Sequence, residues 1–337
     1  MKKIIYGFIL LISAISLAAC GSDSANETVA APEDQDKVIQ YFNSPGQVTI
    51  VEIADNLGYF ETLELENVGV SKGGPSDIQL VQSEDVDFGT VFNGAVIKAL
   101  AQGVKVQAVI SAYGSNELYN QKFYVKEDSD IKTAKDLIGK KVGINTLGAH
   151  GDFLVSEYLR QGGLTEDEIK DVELVTVPWA NGEQVLRAGQ VDAIYFDTEL
   201  AIVAENNGGV RELFNDVSLF GNYNGASYVF SEKYIKNNPD TVHEFVTGVA
   251  KAYKWTQEHS TEEVIAKKKE IIAARGQGET TTIIEAYTDT GVASVGGSFN
   301  ETDWTIWTEW LEKNSDINLK NVNLDTIYTN EFNDLVQ

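Results

Sequence analysis

Gly139-Lys140-Lys141-Val142-Gly143-Ile144-Asn145-Thr146-Leu147-Gly148-Ala149-His150, continued by Gly151-Asp152-Phe153-Leu154-Val155-Ser156-Glu157-Tyr158-Leu159-Arg160-Gln161-Gly162-Gly163, reads as a strand ending at Asn145 and a helix beginning near Gly148. The apolar run at 142–144 is short enough for a buried strand, and the glycines on either side mark turns. A strand that runs straight into a helix is the unit of an α/β protein with largely parallel sheets. Thr146 and the N–H groups of residues 147–150 then gather at a helix N-terminus on the carboxyl edge of a sheet. Such an edge is where an anion or polar ligand binds. Thr146 serves equally well as a plain helix cap, and His150 as a solvated first-turn residue.

The same alternation extends in both directions. Strands are expected at 38–42, 63–70, 87–91 and 104–111, with helical stretches near 48–59, 76–83 and 94–102 between them. A second series places strands at 122–125, 141–145, 172–177 and 192–196, and helices near 134–138, 148–161, 182–188 and 198–206. The two series echo each other: Val86-Asp87 and Val191-Asp192 each lead from a helix through a turn into a strand. That echo fits two similar lobes facing a cleft, and fits equally an ordinary helix-to-strand turn used twice. Beyond Tyr228 the chain reads as almost wholly helical. Val242, Phe245, Val246, Val249, Ala250 and Tyr253 form an apolar stripe behind Pro239, while Trp304, Trp307, Trp310 and Leu311 form another, both expected to pack as core.

Several strand ends offer candidate ligand contacts. Asn43-Ser44-Pro45-Gly46, Gly73-Gly74-Pro75-Ser76 and Phe92-Asn93-Gly94 are small or amide-rich turns, which three on one sheet edge would make a cleft rim. Trp179 and Asp197 end strands of the second series and suit a ligand with an apolar body and an amine or hydroxyl. Asp197 is also a good N-cap for the helix after it. Asn224, beside the chain's expected return to the first lobe, completes the candidate set.

The chain opens with Lys2 and Lys3, an apolar run over 4–17, then Ala18-Ala19-Cys20. This is the order of a secretory leader, and the run is shorter than the ~20 residues a spanning helix needs. Leu17-Ala18-Ala19-Cys20 resembles a bacterial lipobox, with Cys20, the single cysteine, as the lipidated residue. Residues 1–19 are thus expected to be a lipoprotein signal peptide and 20–36 a flexible tether, too poor in apolar bulk to order itself. No disulfide is then possible. The expected location is the outer face of a cell membrane of Gram-positive type, anchored by lipid. The remainder, at 43% hydrophobic and 10% aromatic residues over the whole chain, is globular in composition. Net charge is -25, which excludes a phosphate-binding face for nucleic acid. There is no Gly-x-Ser-x-Gly elbow, no Gly-x-x-x-x-Gly-Lys loop, no His-Glu-x-x-His helix and no Cys/His cluster. No metal, cofactor or catalytic residue is expected, and the protein is not expected to be an enzyme.

Asn56-Leu57-Gly58-Tyr59-Phe60, Gly73-Gly74, Val86-Asp87-Phe88-Gly89, Ala101-Gln102-Gly103-Val104-Lys105, the run over 134–143 and Val185-Leu186-Arg187-Ala188-Gly189-Gln190-Val191-Asp192-Ala193 together resemble the aliphatic-sulfonate, taurine, nitrate and thiamine-precursor binding proteins of ABC importers. The resemblance implies a type II periplasmic-binding-protein fold, an α/β architecture of two lobes with parallel or mixed sheets, two crossovers and a ligand cleft between. Crossovers near 113–121 and 220–228 give lobe one 37–120 plus 222–337, and lobe two 121–221. It implies that Thr146, Gly148, Ala149 and His150 hold an acidic head group, that Asn43, Ser44, Gly74 and Asn93 contact the ligand from lobe one, and that Trp179 and Asp197 grip its far end. The implied role is a monomeric receptor that captures a small organic anion such as a sulfonate or taurine and passes it to an ABC permease. Phe196-Asp197-Thr198 stands where many relatives have Trp-Asp-Pro, so the wall beside the carboxylate differs; the alternatives are a pyrimidine or other heteroaromatic ligand, for which Phe42, Trp179, Tyr195 and Tyr223 supply rings, or an enzyme or adhesin on the same fold. The cysteine-rich signature of the related pyrimidine synthases is absent.

Overall fold

The computed structural model describes residues 35–71, 73–320 and 322–336. The leader, Cys20 and nearly all of the tether lie outside them. Strands β1 (Val38–Asn43), β2 (Glu64–Val70), β3 (Phe88–Phe92) and β4 (Val106–Ser115) alternate with helices α1 (Ile50–Asn56), α2 (Pro75–Ser83) and α3 (Asn93–Ala101). The chain then crosses over. It builds β5 (Lys122–Lys126), β6 (Lys141–Ile144), β7 (Glu173–Thr176), β8 (Ala193–Phe196) and β9 (Val210–Asn215). Helices α4 (His150–Gln161), α5 (Glu166–Lys170), α6 (Gly182–Arg187) and α7 (Thr198–Asn206) connect the last four of these strands. After α8 (Asp216–Phe220) the chain returns as β10 (Tyr223–Ser231), then continues through α9 (Glu232–Asn237), α10 (Pro239–Glu258), α11 (Thr261–Arg275), α12 (Thr302–Asn314) and α13 (Leu324–Ile327).

The second sheet has the order β7-β6-β8-β5-β9, with β6 parallel to β7 and β8 and with β5 antiparallel to its neighbours. In the first lobe a parallel pair, β1-β2, lies beside the antiparallel set β3-β10-β4. The two ladders join through Asp87, whose Oδ2 accepts from Gln40 N at 2.7 Å and whose N–H donates to Gln40 O at 2.9 Å. Asp192 repeats the arrangement in the second lobe, with Lys141 N to Asp192 Oδ2 at 2.9 Å and Asp192 N to Lys141 O at 2.7 Å. The two Val-Asp pairs of the sequence therefore perform one task, stitching β3 to β1 in the first lobe and β8 to β6 in the second. Both lobes have the same strand order, with an antiparallel strand inserted fourth: β10, from beyond the second crossover, in the first lobe and β5, the first strand after the first crossover, in the second. The echo is a structural repeat.

Three expectations shift. The first crossover is shorter than 113–121, because β4 runs on to Ser115. The second stops at Asn222, because Tyr223–Ser231 is a fully buried strand between β3 and β4. Its Asn, Gly and Ser content hid it as a connector; burial on every residue removes the need for alternation. Strand β9 had no counterpart in the expected series. The C-terminal stripes pack largely as expected: Val242, Phe245, Val246, Val249, Ala250 and Tyr253 of α10 are all fully buried, as are Trp304, Trp307 and Leu311 of α12, whereas Trp310 is half-buried at the core's edge. Trp307 packs edge-on against Phe92 of the first lobe and Phe153 and His150 of the second, so α12 seals the two lobes together on one side. Among the described residues no helix is long and apolar enough to cross a membrane.

Candidate functional site

The carboxyl ends of the parallel strands of both lobes face each other across a cleft whose cavity measures about 260 Å³. From the first lobe come Phe42, Ser44 and Gln47 after β1, Gly73 and Gly74 before α2, and Phe92 at the end of β3. The loop after β1 is clamped from behind. Arg275 Nη2, at the end of α11, donates to Gln47 O at 2.8 Å and to Glu52 Oε1 at 2.6 Å, and Gly46 N donates to Glu279 Oε2 at 2.5 Å. Gly74 has φ +60°, and a Cβ there would stand 3.2 Å from the Ala149 methyl of the opposite lobe. Glycine is required both by the backbone and by the approach of the two lobes. The second lobe supplies Asn145, Ala149, His150, Trp179, Tyr195, Asp197 and Glu199.

The N-terminus of α4 is not an open anion site. Helix α4 starts at His150, with Ala149 in the cap position, and Asp152 Oδ2 reaches back to accept from Gly148 N at 2.7 Å. A carboxylate already occupies the turn where an acidic head group was expected, and a second anion would be repelled there. His150 is not a solvated first-turn residue. It is 3% exposed and stacks on Phe92 with ring centroids 4.5 Å apart. Its Nε2 lies 2.7 Å from Tyr223 Oη and its Nδ1 3.3 Å from Tyr113 Oη. Tyr223 donates its own proton to Asp216 Oδ2 at 2.7 Å, so its oxygen accepts from His150 Nε2–H and leaves Nδ1 to accept from Tyr113. Burial pushes the imidazole down to about 3 and keeps it neutral. Asp216 also accepts from Ser115 Oγ at 2.5 Å and from Gln121 N at 3.1 Å, so one buried carboxylate ties both crossovers together beneath the cleft.

Asp197 fills the capping role foreseen for it and also lines the cavity. Its Oδ1 caps α7 by accepting from Leu200 N at 2.9 Å, while Oδ2 accepts from Gln47 Nε2 of the opposite lobe at 3.4 Å. Burial pushes its carboxyl up to about 6 and, with the Asp197 charge adding to it, pushes Glu199 up to about 8. Lys268 of α11 faces them from the first lobe, 4.1 Å above the centroid of the Tyr287 ring, and burial pushes its ammonium down. Eight aromatic rings line the cleft besides His150, and among the described lining residues Lys268 is its sole fixed cation against Asp197, Glu199 and Asp289.

Ser44, Gly74, Ala149, His150, Trp179 and Asp197 thus meet at one cavity, whereas Asn43, Asn93, Thr146, Gly148 and Asn224 do not line it. Asn93 and Asn224 belong to a buried bolt beneath the floor. Asn93 Oδ1 accepts from Ser227 Oγ at 2.6 Å and its Nδ2 donates to Asn224 O at 3.0 Å, while Asn224 Nδ2 donates to Asp303 Oδ2 at 2.8 Å. Asn43 is buried behind the rim, its side-chain oxygen without a hydrogen-bond partner among the described residues. Sequence reasoning missed Glu199 and Lys268. Lys268 sits in Lys267-Lys268-Lys269, whose outer members pair with Glu270 and Glu285. Its spacing of seven from Arg275, which places both on one helix face, was the available signal.

A pair of α/β lobes with matching sheets and a cleft at their carboxyl edges is the architecture of two-lobed solute-binding proteins. The chain belongs to the NMT1/THI5 like family, whose model matches residues 46–263. It is 23% identical over 308 residues to YtlA of Bacillus subtilis (strain 168), described as a candidate binding protein, covering 90% of this chain and 88% of that one. Among solved structures, a protein of Bordetella bronchiseptica RB50 superposes with a TM-score of 0.73 at 20% identity, covering 88% of this chain and 96% of that one. The periplasmic aliphatic sulphonate binding protein SsuA of Escherichia coli gives 0.61 at 18% identity, with 88% and 93% covered.

Proposed function

We propose that this protein is the substrate-binding component of an ABC importer, a monomeric lipoprotein whose two lobes close over a small ligand with an aromatic or heteroaromatic body. The lobes would comprise 37–120 with 222–337, and 121–221. The observation that carries the ligand class is the lining of the cleft: eight rings, three carboxylates and one lysine, with the α4 turn already occupied by Asp152. A sulfonate would enter a cavity with a surplus of negative charge and no arginine among its described lining residues. Flat rings, by contrast, stack well against Trp179, Tyr195 and Phe92. The sulfonate and taurine reading is therefore the weaker of the two.

The test is thermal unfolding of the mature protein, followed by tryptophan fluorescence, against pyrimidines, flavins, taurine, alkanesulfonates and nitrate in excess. A binder at about 100-fold above its Kd adds ~2.7 kcal/mol of apparent stability. A shift with a heteroaromatic compound, lost in Trp179→Ala, is the expected result. A shift with taurine or an alkanesulfonate alone would return the ligand class to small acids. The anchor is tested separately. Wild-type protein should partition into a detergent phase and Cys20→Ala into the aqueous phase; equal partitioning of the two would remove lipidation from the proposal.

A further inference from the structure

The distribution of charge inside the cleft says more about its ligand than the rings alone do. Asp197 and Glu199, two residues apart at the start of α7, act on the buried Tyr119 hydroxyl, and Asp289 and Glu199 act on that of Tyr287; burial and these carboxylates together hold both phenols protonated. The three acidic side chains thus line one cleft, with Asp197 buried and Glu199 and Asp289 half-buried, and Tyr119, Tyr195 and Tyr287 line it with them. One ammonium answers them, and its position is informative: Lys268 Nζ lies over the Tyr287 ring at 4.1 Å. The protein's own chain already shows that this end of the cleft holds a cation on an aromatic face, and the remaining carboxylates leave negative charge uncompensated.

We propose that the ligand of the cleft carries a positive charge, a protonated amine or a quaternary ammonium, seated at this end against Asp197, Glu199 and Asp289 beside the tyrosine rings. The inference rests on the cleft being the ligand site for an aromatic compound, and it adds the charge. An ion at this place is selected by the same features that exclude a sulfonate, because a low-dielectric cavity strengthens both attraction and repulsion. Glu199 adds a further consequence. Its carboxyl, pushed up to about 8 by burial and by Asp197, holds a proton near neutrality that an arriving cation displaces. The groups that face it are Asp197 on its own element, Lys268 from α11, and Tyr287 and Asp289 from the segment after α11. Tyr119 of the first crossover and Tyr195 of β8 stand nearby, as does Glu52 of α1, which acts on Lys268. Of these, Asp197, pushed up to about 6, and Glu199, pushed up to about 8, gain negative charge as pH rises from 6 to 8, and both changes favour a bound cation.

The experiment titrates the mature protein with three probes that share a phenyl ring and differ in charge: benzyltrimethylammonium, benzyl alcohol and benzenesulfonate. Benzyltrimethylammonium does not titrate, so any pH dependence belongs to the protein. It is expected to bind at least about tenfold more tightly than benzyl alcohol at pH 7, with affinity rising toward the limit of about tenfold per pH unit between pH 6 and 8. Glu199→Gln, checked as folded by its unfolding midpoint, should flatten that rise. Benzyl alcohol binding as tightly as the cation overturns the charge assignment and leaves the aromatic-ligand reading standing. Preference for benzenesulfonate overturns the charge assignment, and with a taurine or alkanesulfonate hit it takes the aromatic reading as well. Absence of binding by all three overturns the proposal, and an unchanged pH profile in Glu199→Gln overturns the part assigned to Glu199.

Discussion

Asp216→Ala is expected to lower the unfolding free energy by about 3–5 kcal/mol, one of the largest losses available from a polar residue in this chain. The side chain is fully buried and accepts from Ser115 Oγ, Gln121 N and Tyr223 Oη. Truncation leaves all three donors facing an apolar void. The damage would spread, because Ser115 ends β4, Gln121 precedes β5 and Tyr223 opens β10, so both chain passages between the lobes lose their common acceptor. Asp216→Asn should cost much less, about 1–2 kcal/mol, because hydroxyl groups can reverse. Tyr223 would then accept from the new amide and donate to His150 Nε2, which would invert the imidazole tautomer. Urea denaturation of the two variants checks the claim. A loss below about 1 kcal/mol in Asp216→Ala would show that the crossovers are held by other contacts.

The second large effect is acid sensitivity centred on His150. With its folded pKa depressed to about 3 against an unfolded value near 6.5, the folded state binds fewer protons than the unfolded state across that interval. The stability this residue permits is full above pH 6.5 and is lost as pH falls toward 3, the loss amounting to about 2 kcal/mol at pH 5 and about 4 kcal/mol at pH 3. Asp197 and Glu199 work the other way. Their raised folded pKa values give stability that is full below about pH 4 and lost as pH rises through 6 and 8. The two influences overlap between pH 4 and 6, so the wild-type profile alone does not separate them. His150→Gln does, because the amide can donate to Tyr223 and accept from Tyr113 without titrating. Between pH 6.5 and 4 the wild-type stability should fall more steeply than the variant's by a slope equivalent to about one proton. Parallel profiles would mean that the imidazole charges without unfolding the protein.

Much of this architecture was readable in advance because strand and helix periods are short-range signals. The run at 139–163 gave its strand and helix within two residues, and the apolar stripe of α10 is buried at each of its six positions. Strand β10 was not readable, since a strand covered on both faces by its own protein need not alternate, and Asn224, Gly225 and Ser227 imitate a connector. The site divided along the same line. Residues at strand ends, such as Ser44, Gly74 and Asp197, could be placed because topology alone takes them to the cleft. Asn93 and Asn224 also sit at strand ends, yet their side chains point into a polar network with Ser227 and Asp303 that no local pattern announces. Lys268 comes to the cavity from a helix distant in sequence, and only tertiary packing brings it there. His150 was chosen for its position and not for the burial that keeps it neutral or the tyrosines that fix its tautomer.

The placement of β10 between β3 and β4 also bears on how the molecule comes into being. The second sheet is complete once residue 215 is available, drawn wholly from one uninterrupted stretch of chain. The first sheet lacks its middle until residues 223–231 arrive, since β3 and β4 do not touch each other but each pairs with β10. A chain emerging from its amino end therefore carries an unfinished first half, with two strand edges open, while the second half can already close. That delay postpones the formation of a rigid body until the last third of the chain is available. It also makes the late strand the point at which the whole receptor locks, so any slowing of its arrival lengthens the time those edges stay open to mispairing.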